Sequence, residues 1–417
     1  MASSVLVILK TGATEAPLKL PVHANTTFRC TPNHVVYSDL AETIAGIPLE
    51  DVLADVSPAI RASHPDFALY EAMHAPLRAE DPHGPRKGRA ALDDAAAAAT
   101  AAAAWTLDKW KFLPLARRAL ARMPAARWFV LVEADTYVVW PSLFDWLAGL
   151  DPDQAMYAGA PTQIGDVTFA HGGSGVVVSG PAMRRLVETV EADGVAAWED
   201  VTTREWAGDC VLGKALGEAG VGLTWTWPLT QGRRPGSLDY GSAMWGRRAW
   251  CYPAVFYHHV DAREIEGFWE WEQEWYSRGL PRIRHSDVFA DYIAPRLATA
   301  PEPSRDDWDN RSDYAEAEGF QTHPANASSS DGGGCARRCA DWDECLQWEL
   351  KGGTCFLAKV ARLGNPVVGS SAGGVGVGVK EREGDGEVQS VRSGWMVERI
   401  LKRYGEQEEC AGEEWVV

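Results

Sequence analysis

Apolar runs and polar, helix-like stretches alternate along the first part of the chain. The apolar run at residues 5–9 predicts a buried strand, and residues 35–37 predict a second strand that a polar helical stretch follows. Strands that alternate with helices are typical of a sheet with helices packed on its faces. The N-terminal region is therefore predicted to be α/β.

The same pattern continues beyond Leu107. The segment LDKWKFLPLARRALARM predicts a helix, and residues 128–132 predict a buried strand that ends at Glu133 and Asp135. Open α/β sheets bind their ligands at the carboxyl ends of strands. This carboxylate pair is therefore predicted to lie at a ligand site.

Several segments depart from this pattern. Residues 78–104 pass from a Pro-, Gly- and Arg-rich stretch to an Ala-rich one, which predicts a surface insertion with a helical end, because alanine favours helix but offers little to pack. Pro-, Asp-, Asn-, Ser- and Gly-rich residues predict a linker or long excursion at 296–334. The predicted divisions are a large domain at 1–295, the linker at 296–334, a Cys-rich module at 335–360, a Gly-rich flexible segment at 361–394 and a C-terminal helix and tail at 395–417.

Composition and charge limit the classes of partner. The chain has 417 residues, of which 46% are hydrophobic and 24% charged, enough for one large core and a smaller appendage. Its formal net charge is −18, and no basic run is present. Because nucleic-acid binding needs clustered Lys and Arg to displace phosphate counterions, a nucleic-acid partner is not expected.

Sequons and cysteines indicate the secretory pathway. N-glycosylation sequons begin at Asn25, Asn310 and Asn326, and residues 335–355 contain four Cys with no His among them, which favours disulfides over a zinc site. The sequence has no signal peptide and no apolar stretch of bilayer length. Since Met1 stands just before the first predicted strand, we expect that a membrane anchor or leader is missing from this sequence; a cytosolic protein is the alternative.

Two acidic residues and a histidine pair are candidates for metal binding. The spacing Glu133-x-Asp135 suits a hard cation such as Mn²⁺ or Mg²⁺, although most such triplets are solvated turns. A metal would offset the cost of burying a carboxylate beside an apolar strand. His258 and His259 follow another apolar run, and strand alternation predicts that only one of them reaches the site.

A glycine run and an aspartate are the other candidates. Gly172 and Gly173 lack a Cβ and would let the backbone approach a sugar or phosphate closely, although they could equally form a bare turn. Asp209 begins an amphipathic helix, so it is either a helix N-cap or a general base for an acceptor hydroxyl. Local sequence alone favours the cap.

The ordered motifs resemble those of glycosyltransferase family 31, in its Fringe-like and core-1 galactosyltransferase-like branch, and most closely its fungal members. The resemblance covers roughly residues 5–290. It implies a GT-A fold, a Golgi type II membrane protein, and inverting Mn²⁺-dependent transfer of a hexose or N-acetylhexosamine from a UDP-sugar to a glycan or glycoprotein hydroxyl in β1,3 linkage. The motifs are LKTG, VVYSD, LDKWKFLP, WFVLVEADTYV, FAHGGSGVVVSG, WAGDCVLG and FYHHVD.

The resemblance also assigns roles at the reacting centre. The principal metal ligand of the family falls on Asp135, with Glu133 in a position that is usually Asp, and the closing metal-ligand histidine falls on His258. The catalytic carboxylate falls on Asp209, whereas the acidic residue that usually precedes it is Gly208 here. A single base is therefore implied.

Four further positions match residues of the nucleotide pocket. Lys10, Thr11 and Asp39 match positions that line the pocket, and Lys111 matches one that reaches the diphosphate. The resemblance thus implies binding of UDP at the ends of the first strands.

The segment CARRCADWDECLQWELKGGTCFL resembles a short PAN/apple-type module, which recognises protein or carbohydrate in its family. We predict a nested pairing, Cys335 with Cys355 and Cys339 with Cys345, among three connectivities. Fungal relatives with this insertion end on a segment like SGWMVERI, at residues 393–400 here, which implies that the chain returns there to the catalytic domain.

Two functions fit the sequence. The first is the glycosyltransferase, and the alternative is a catalytically inactive secreted protein that binds glycans through the GT-A shell and the PAN-like module. Joint presence of Asp135, Asp209 and His258 favours the enzyme, because a binding protein has no need for all three. The donor sugar and the acceptor do not follow from the sequence.

Overall fold

The computed structural model describes residues 1–78, 97–298, 304–313, 321–324, 333–367, 390–407, 410 and 414–416. Most of the predicted insertion, the sequon at Asn326 and most of the Gly-rich segment lie outside these residues. The strands are β1 (Val5–Lys10), β2 (His34–Ser38), β3 (Glu42–Ile44), β4 (Ile47–Asp51), β5 (Trp128–Glu133), β6 (Tyr137–Val138), β7 (Tyr157–Gly159), β8 (Pro161–Ile164), β9 (Val167–Ala170), β10 (Val176–Ser179), β11 (Leu223–Trp225), β12 (Thr230–Gln231), β13 (Ala243–Met244), β14 (Arg247–Arg248), β15 (Phe256–Tyr257), β16 (Ser304–Asp306), β17 (Trp308–Asp309), β18 (Gln321–Pro324), β19 (Gln347–Lys351), β20 (Thr354–Ala358), β21 (Asn365–Pro366) and β22 (Val391–Trp395). The helices are α1 (Ala16–Lys19), α2 (Pro21–Asn25), α3 (Pro58–Ser63), α4 (Ala68–Arg78), α5 (Ala97–Asp108), α6 (Phe112–Arg122), α7 (Trp140–Gly149), α8 (Gly180–Asp193), α9 (Val195–Arg204), α10 (Gly208–Glu218), α11 (Ala262–Ser277), α12 (His285–Asp287), α13 (Ala294–Ala298), α14 (Gly333–Asp341) and α15 (Val397–Gly405).

The chain divides into two compact units. Unit 1 consists of Met1–Gly232, Ala254–Arg282 and Trp415–Val417, and unit 2 consists of Arg233–Pro253 and Ile283–Glu414. Unit 2 thus takes in part of the segment 1–295 that the sequence-based division assigns to the large domain. No helix in the described ranges has the length and apolar character needed to cross a bilayer.

A large mixed sheet forms the centre of unit 1. Its eight strands are in the order β11-β7-β10-β5-β1-β2-β4-β3, and β1 runs parallel to both β2 and β5. All six residues of β1 are buried, as its unbroken apolar run predicts for a strand in the interior of the sheet. Helices α6, α8 and α10 contribute apolar side chains to this core. The predicted α/β class is confirmed.

A smaller sheet of unit 1 carries the histidine pair. Its order is β12-β15-β6, and Tyr257 of β15 pairs with Tyr137 of β6. Just beyond this pair, the N–H of Val260 donates to the carbonyl of Asp135 at 2.9 Å. The smaller sheet therefore brings residues 258–260 beside the loop that follows β5.

Unit 2 contains a five-stranded sheet in the order β16-β22-β19-β20-β18, with α14 beside it. Three disulfides lie in this unit, and two of them have the predicted nested pairing. The four Cys of the cluster are therefore not zinc ligands. Cys30 and Cys210 are free. The disulfides are Cys251–Cys410, Cys335–Cys355 and Cys339–Cys345.

The segment at 393–400 forms β22 and the start of α15, and Tyr404 of α15 stacks on Phe289, within the predicted domain at 1–295, with 4.2 Å between ring centroids. Strand β22 pairs with β16 and β19, so its backbone hydrogen bonds place it in the sheet of unit 2. The chain rejoins unit 1 only near its end, where the indole N–H of Trp146 donates to the carbonyl of Val416 at 3.1 Å. Parts of the predicted linker also form strands, β16, β17 and β18.

The sequon at Asn310 does not mark a surface site. Asn310 is fully buried, and its side-chain amide donates to the carbonyls of Trp348 at 3.1 Å and Gly394 at 3.3 Å. A glycan on this nitrogen would replace one of its two hydrogens, so both bonds could not be kept, and the buried side chain leaves no space for a sugar. Asn25, in contrast, is exposed.

Candidate active site

The candidate residues meet at one edge of the large sheet. In the parallel register of β1, β2 and β5, Lys10 lies opposite both Tyr37 and Glu133. Asp39 follows β2 directly, and Asp135 follows β5. The carboxyl ends of three adjacent strands therefore place these charged side chains close together.

Asp135, His258 and Glu133 form one cluster. The Nε2 atom of His258 lies 3.2 Å from Oδ1 of Asp135 and 3.5 Å from Oε2 of Glu133. Burial alone would lower the pKa of His258, but the two carboxylates raise it to about 9. Oδ1 of Asp135 is buried and faces this imidazole. The arrangement leaves carboxylate oxygens and an imidazole nitrogen converging on one small region.

His259 belongs to the same cluster, contrary to the sequence-based argument. Strand β15 ends at Tyr257, and His259 has a φ of 58°, in the left-handed region that few residues other than glycine adopt. Its ring stacks on that of His258 with 3.8 Å between centroids. Ligand atoms of Asp135, His258 and His259 all lie within 4.8 Å of one another. Strand alternation does not apply here because the strand has already ended.

The glycine run lies between this cluster and Asp209. A Cβ placed on Gly173 would lie 2.1 Å from Cε1 of His258, and one on Gly172 would lie 3.4 Å from Oε1 of Glu133. The N–H of Gly172 donates to Oδ2 of Asp209 at 2.8 Å. Glycine is needed at 173 because the imidazole occupies the space of a side chain.

Asp209 is not the N-cap of its helix. Ala207 holds that position in α10, and Asp209 lies in the first turn, where its Oδ1 accepts from the N–H of Cys210 at 3.0 Å. Burial raises the pKa of Asp209 to about 6. The cap interpretation is therefore wrong, and the carboxylate is held beside the glycine run by two backbone N–H groups.

The packing around Gly208 explains why no second carboxylate precedes Asp209. A Cβ on Gly208 would lie 2.3 Å from the ring of Phe112 and 2.7 Å from the backbone of Lys109. A larger residue at 208 would need α6 and its preceding turn to move. The site thus has room for one base at this point.

The nucleotide-pocket candidates form a buried charge network. Nζ of Lys111 lies 3.0 Å from Oδ2 of Asp39, 2.8 Å from the carbonyl of Thr11 and 3.3 Å from Oδ1 of Asp108. Asp108 also pairs with Lys10. Lys111 is buried in these contacts, so its direct contact with a diphosphate stays a prediction. Asp108 was not predicted, because nothing in the local sequence shows that it lies between two lysines from different elements.

Lys19 is a second residue that the sequence analysis missed. Its Nζ lies 3.1 Å from Oδ2 of Asp135 and 2.6 Å from Oε2 of Glu15. His258 and Lys19 both hold the pKa of Asp135 well below its usual range, against the effect of burial. The two oxygens of Asp135 thus face different cationic groups.

Comparison with known proteins agrees with this geometry. Residues 106–226 match the Fringe-like family model. This span resembles the Fringe-like glycosyltransferases. It contains Lys111, Glu133, Asp135, the glycine run and Asp209, and it ends before His258. No curated protein matches the chain significantly. Since Fringe-like proteins are generally glycosyltransferases, the match indicates a transferase that acts on glycans.

Proposed function

We propose that the chain is an inverting, Mn²⁺-dependent glycosyltransferase of GT-A type. It transfers a hexose or N-acetylhexosamine from a UDP-sugar to a hydroxyl of a glycan or glycoprotein, with formation of a β1,3 linkage. The observation that carries the proposal is the position of Asp209. Its carboxylate, with a pKa raised to about 6, is hydrogen-bonded to the glycine run on which His258 packs.

The residues at the end of β5 fit a divalent cation. Oδ1 of Asp135 is buried and lies 3.2 Å from Nε2 of His258, so a carboxylate oxygen and an imidazole nitrogen already converge on one point. Carboxylate oxygens with an imidazole nitrogen suit Mn²⁺, and Asp135, His258 and Glu133 would hold it. When bound, the ion would supply Lewis-acid stabilisation of the charge that develops on the diphosphate.

Asp209 acts as the general base in this proposal. The acceptor hydroxyl attacks the anomeric carbon, its new C–O bond forms as the bond to UDP breaks, and the hydroxyl proton passes to the carboxylate of Asp209. A pKa near 6 leaves the group ionised at neutral pH but more basic than a solvated aspartate. The N–H groups of Gly172 and Cys210 fix its orientation.

The proposal extends to the compartment and to unit 2. Three disulfides favour an oxidising compartment, which is consistent with a Golgi-lumenal enzyme held by a type II anchor. The two nested disulfides support assignment of residues 335–360 to a PAN/apple-type module. Such a module would bind protein or carbohydrate and so recruit a glycoprotein acceptor.

A thermal-shift titration with UDP tests the metal part. We expect UDP with Mn²⁺ to raise Tm, because a ligand that binds only the folded state stabilises it, while UDP with EDTA has little effect. Equal shifts would argue against a metal-bridged diphosphate. A panel of UDP-sugars, assayed for released UDP with and without acceptors, tests the transfer. No release from any donor would favour the inactive glycan-binding protein.

A further inference from the structure

Two tryptophans form an exposed stacked pair on the surface of unit 1. Trp105 and Trp206 are 56% and 55% exposed, and their rings stack with 5.6 Å between centroids and 24° between planes. Trp105 lies on α5, and Trp206 lies in the turn before α10. Two exposed aromatic rings in contact make this surface a candidate for ligand binding.

The turn that carries Trp206 is held in place. Nζ of Lys109 donates to the carbonyl of Glu205 at 2.9 Å, and Lys214 pairs with the carboxylate of Glu205. Both lysines come from elements that are separate from the turn. The indole is therefore presented from a fixed backbone, which lowers the entropy cost of binding a ligand on it.

Both tryptophans are close in sequence to the reacting centre. Trp206 lies three residues before Asp209. Trp105 lies three residues before Asp108, which pairs with Lys10 and Lys111. Because three residues of backbone span at most about 11 Å, the ring pair lies near the proposed base, Asp209. An acceptor must approach that base, whereas the donor is held by the metal cluster.

We propose that Trp105 and Trp206 form a stacking platform for a pyranose ring of the acceptor glycan, an inference that rests on the proposed function. The C–H face of a pyranose packs on an aromatic ring, and the outer face of an indole in the stacked pair offers room for one sugar. The platform deepens the proposed function by assigning the acceptor a carbohydrate rather than a bare peptide hydroxyl. Uracil could also stack on an indole, and the experiment separates the two ligands.

The test uses Trp105→Ala and Trp206→Ala with Trp245→Ala as the control, because Trp245 is also 55% exposed but lies in unit 2. Methyl glycosides and disaccharides of galactose, N-acetylglucosamine and N-acetylgalactosamine serve as probes, since their aglycone cannot stack. Affinity is followed by tryptophan fluorescence and ligand-observed NMR. We expect at least a tenfold loss of glycan affinity in both platform variants, and no loss in the control.

Parallel assays distinguish failure of the platform from failure of the enzyme. Affinity for UDP with Mn²⁺ and hydrolysis of UDP-sugar without acceptor should be unchanged in the platform variants, while KM for the acceptor rises. Unchanged glycan affinity, or no glycan binding by the wild type, overturns the platform. A loss of UDP affinity in the platform variants would mean that the two tryptophans stack on the uracil ring of UDP, and it overturns the platform for the acceptor. Glycan binding that needs both tryptophans, with no UDP released from any donor, supports the platform and overturns the transferase.

Discussion

At the scale of single residues, substitution of Asp209 distinguishes a catalytic role from a structural one. We expect Asp209→Asn to lower transfer by at least about 100-fold, because the amide keeps the shape of the side chain but cannot accept the proton. Affinity for Mn²⁺ and UDP should hardly change, since the cluster at Asp135 and His258 remains. Asp135→Asn should weaken both Mn²⁺-dependent UDP binding and transfer. Transfer rates and UDP titrations on both variants check this, and near wild-type transfer by Asp209→Asn would remove it from the mechanism.

Gly173 provides a steric test of the metal cluster. In Gly173→Ala the new methyl group would occupy the place of the His258 ring, so the imidazole must move away from Asp135. We expect Mn²⁺ affinity to fall about 10- to 100-fold, the usual cost of disturbing the support of a ligand. Gly217→Ala is the matched control, because a Cβ at that position would meet no described atom within 4 Å. Isothermal titration calorimetry measures the Mn²⁺ affinity of both variants. Equal affinities would show that His258 is not a metal ligand.

At the scale of elements, helix α11 contacts strand β6 through a buried carboxyl group, that of Glu272. The carboxyl of Glu272 accepts a hydrogen bond from the hydroxyl of Tyr137 on β6, and the Cys30 thiol lies near it. Burial raises the pKa of Glu272 to about 8. The folded state therefore keeps this proton where the unfolded chain has lost it, and the contribution of Glu272 to stability must fall as pH rises from about 5 to about 8.

Glu272→Gln should remove this pH dependence. The amide oxygen still accepts from Tyr137, but no charge can form in the buried site. We expect the variant to gain at least about 1 kcal/mol of unfolding free energy over the wild type at pH 8, and less at pH 5. Urea unfolding at the two pH values measures the difference. If the difference in unfolding free energy between the variant and the wild type is the same at pH 5 and pH 8, Glu272 is ionised in the folded state throughout this range.

At the scale of the whole molecule, burial decides which sequons can be used. In protein secreted from a eukaryotic host we expect a glycan on Asn25 and none on Asn310, because the Asn310 amide is buried and hydrogen-bonded. Peptide mapping by mass spectrometry before and after enzymatic deglycosylation checks both positions. A glycan on Asn310 in folded protein would contradict the packing of unit 2.

Local patterns were sufficient for a large part of this protein. Unbroken apolar runs determined β1 and β5, because five consecutive apolar residues are stable in a strand only when a sheet buries them on both faces. The same runs placed Lys10 and Glu133 at strand ends, so the edge that holds the candidate site was predictable. The resemblance of the Cys cluster to a PAN/apple-type module accompanied the prediction of the nested disulfides, one of the three pairings that four cysteines allow.

Other features depended on contacts between residues far apart in the chain. Asp108 lies between Lys10 and Lys111 only because two elements meet there, and Gly208 is required only because Phe112 packs on it. The position of His259 depends on where β15 ends, and the placement of segment 393–400 depends on backbone pairing with β19. Sequence determined which apolar runs are buried, since their burial follows from the local apolar pattern, whereas the burial of polar residues such as Lys111 and Asn310 depends on tertiary contacts. Tertiary structure decided which charged groups face each other, since register and packing set distances that no local pattern encodes.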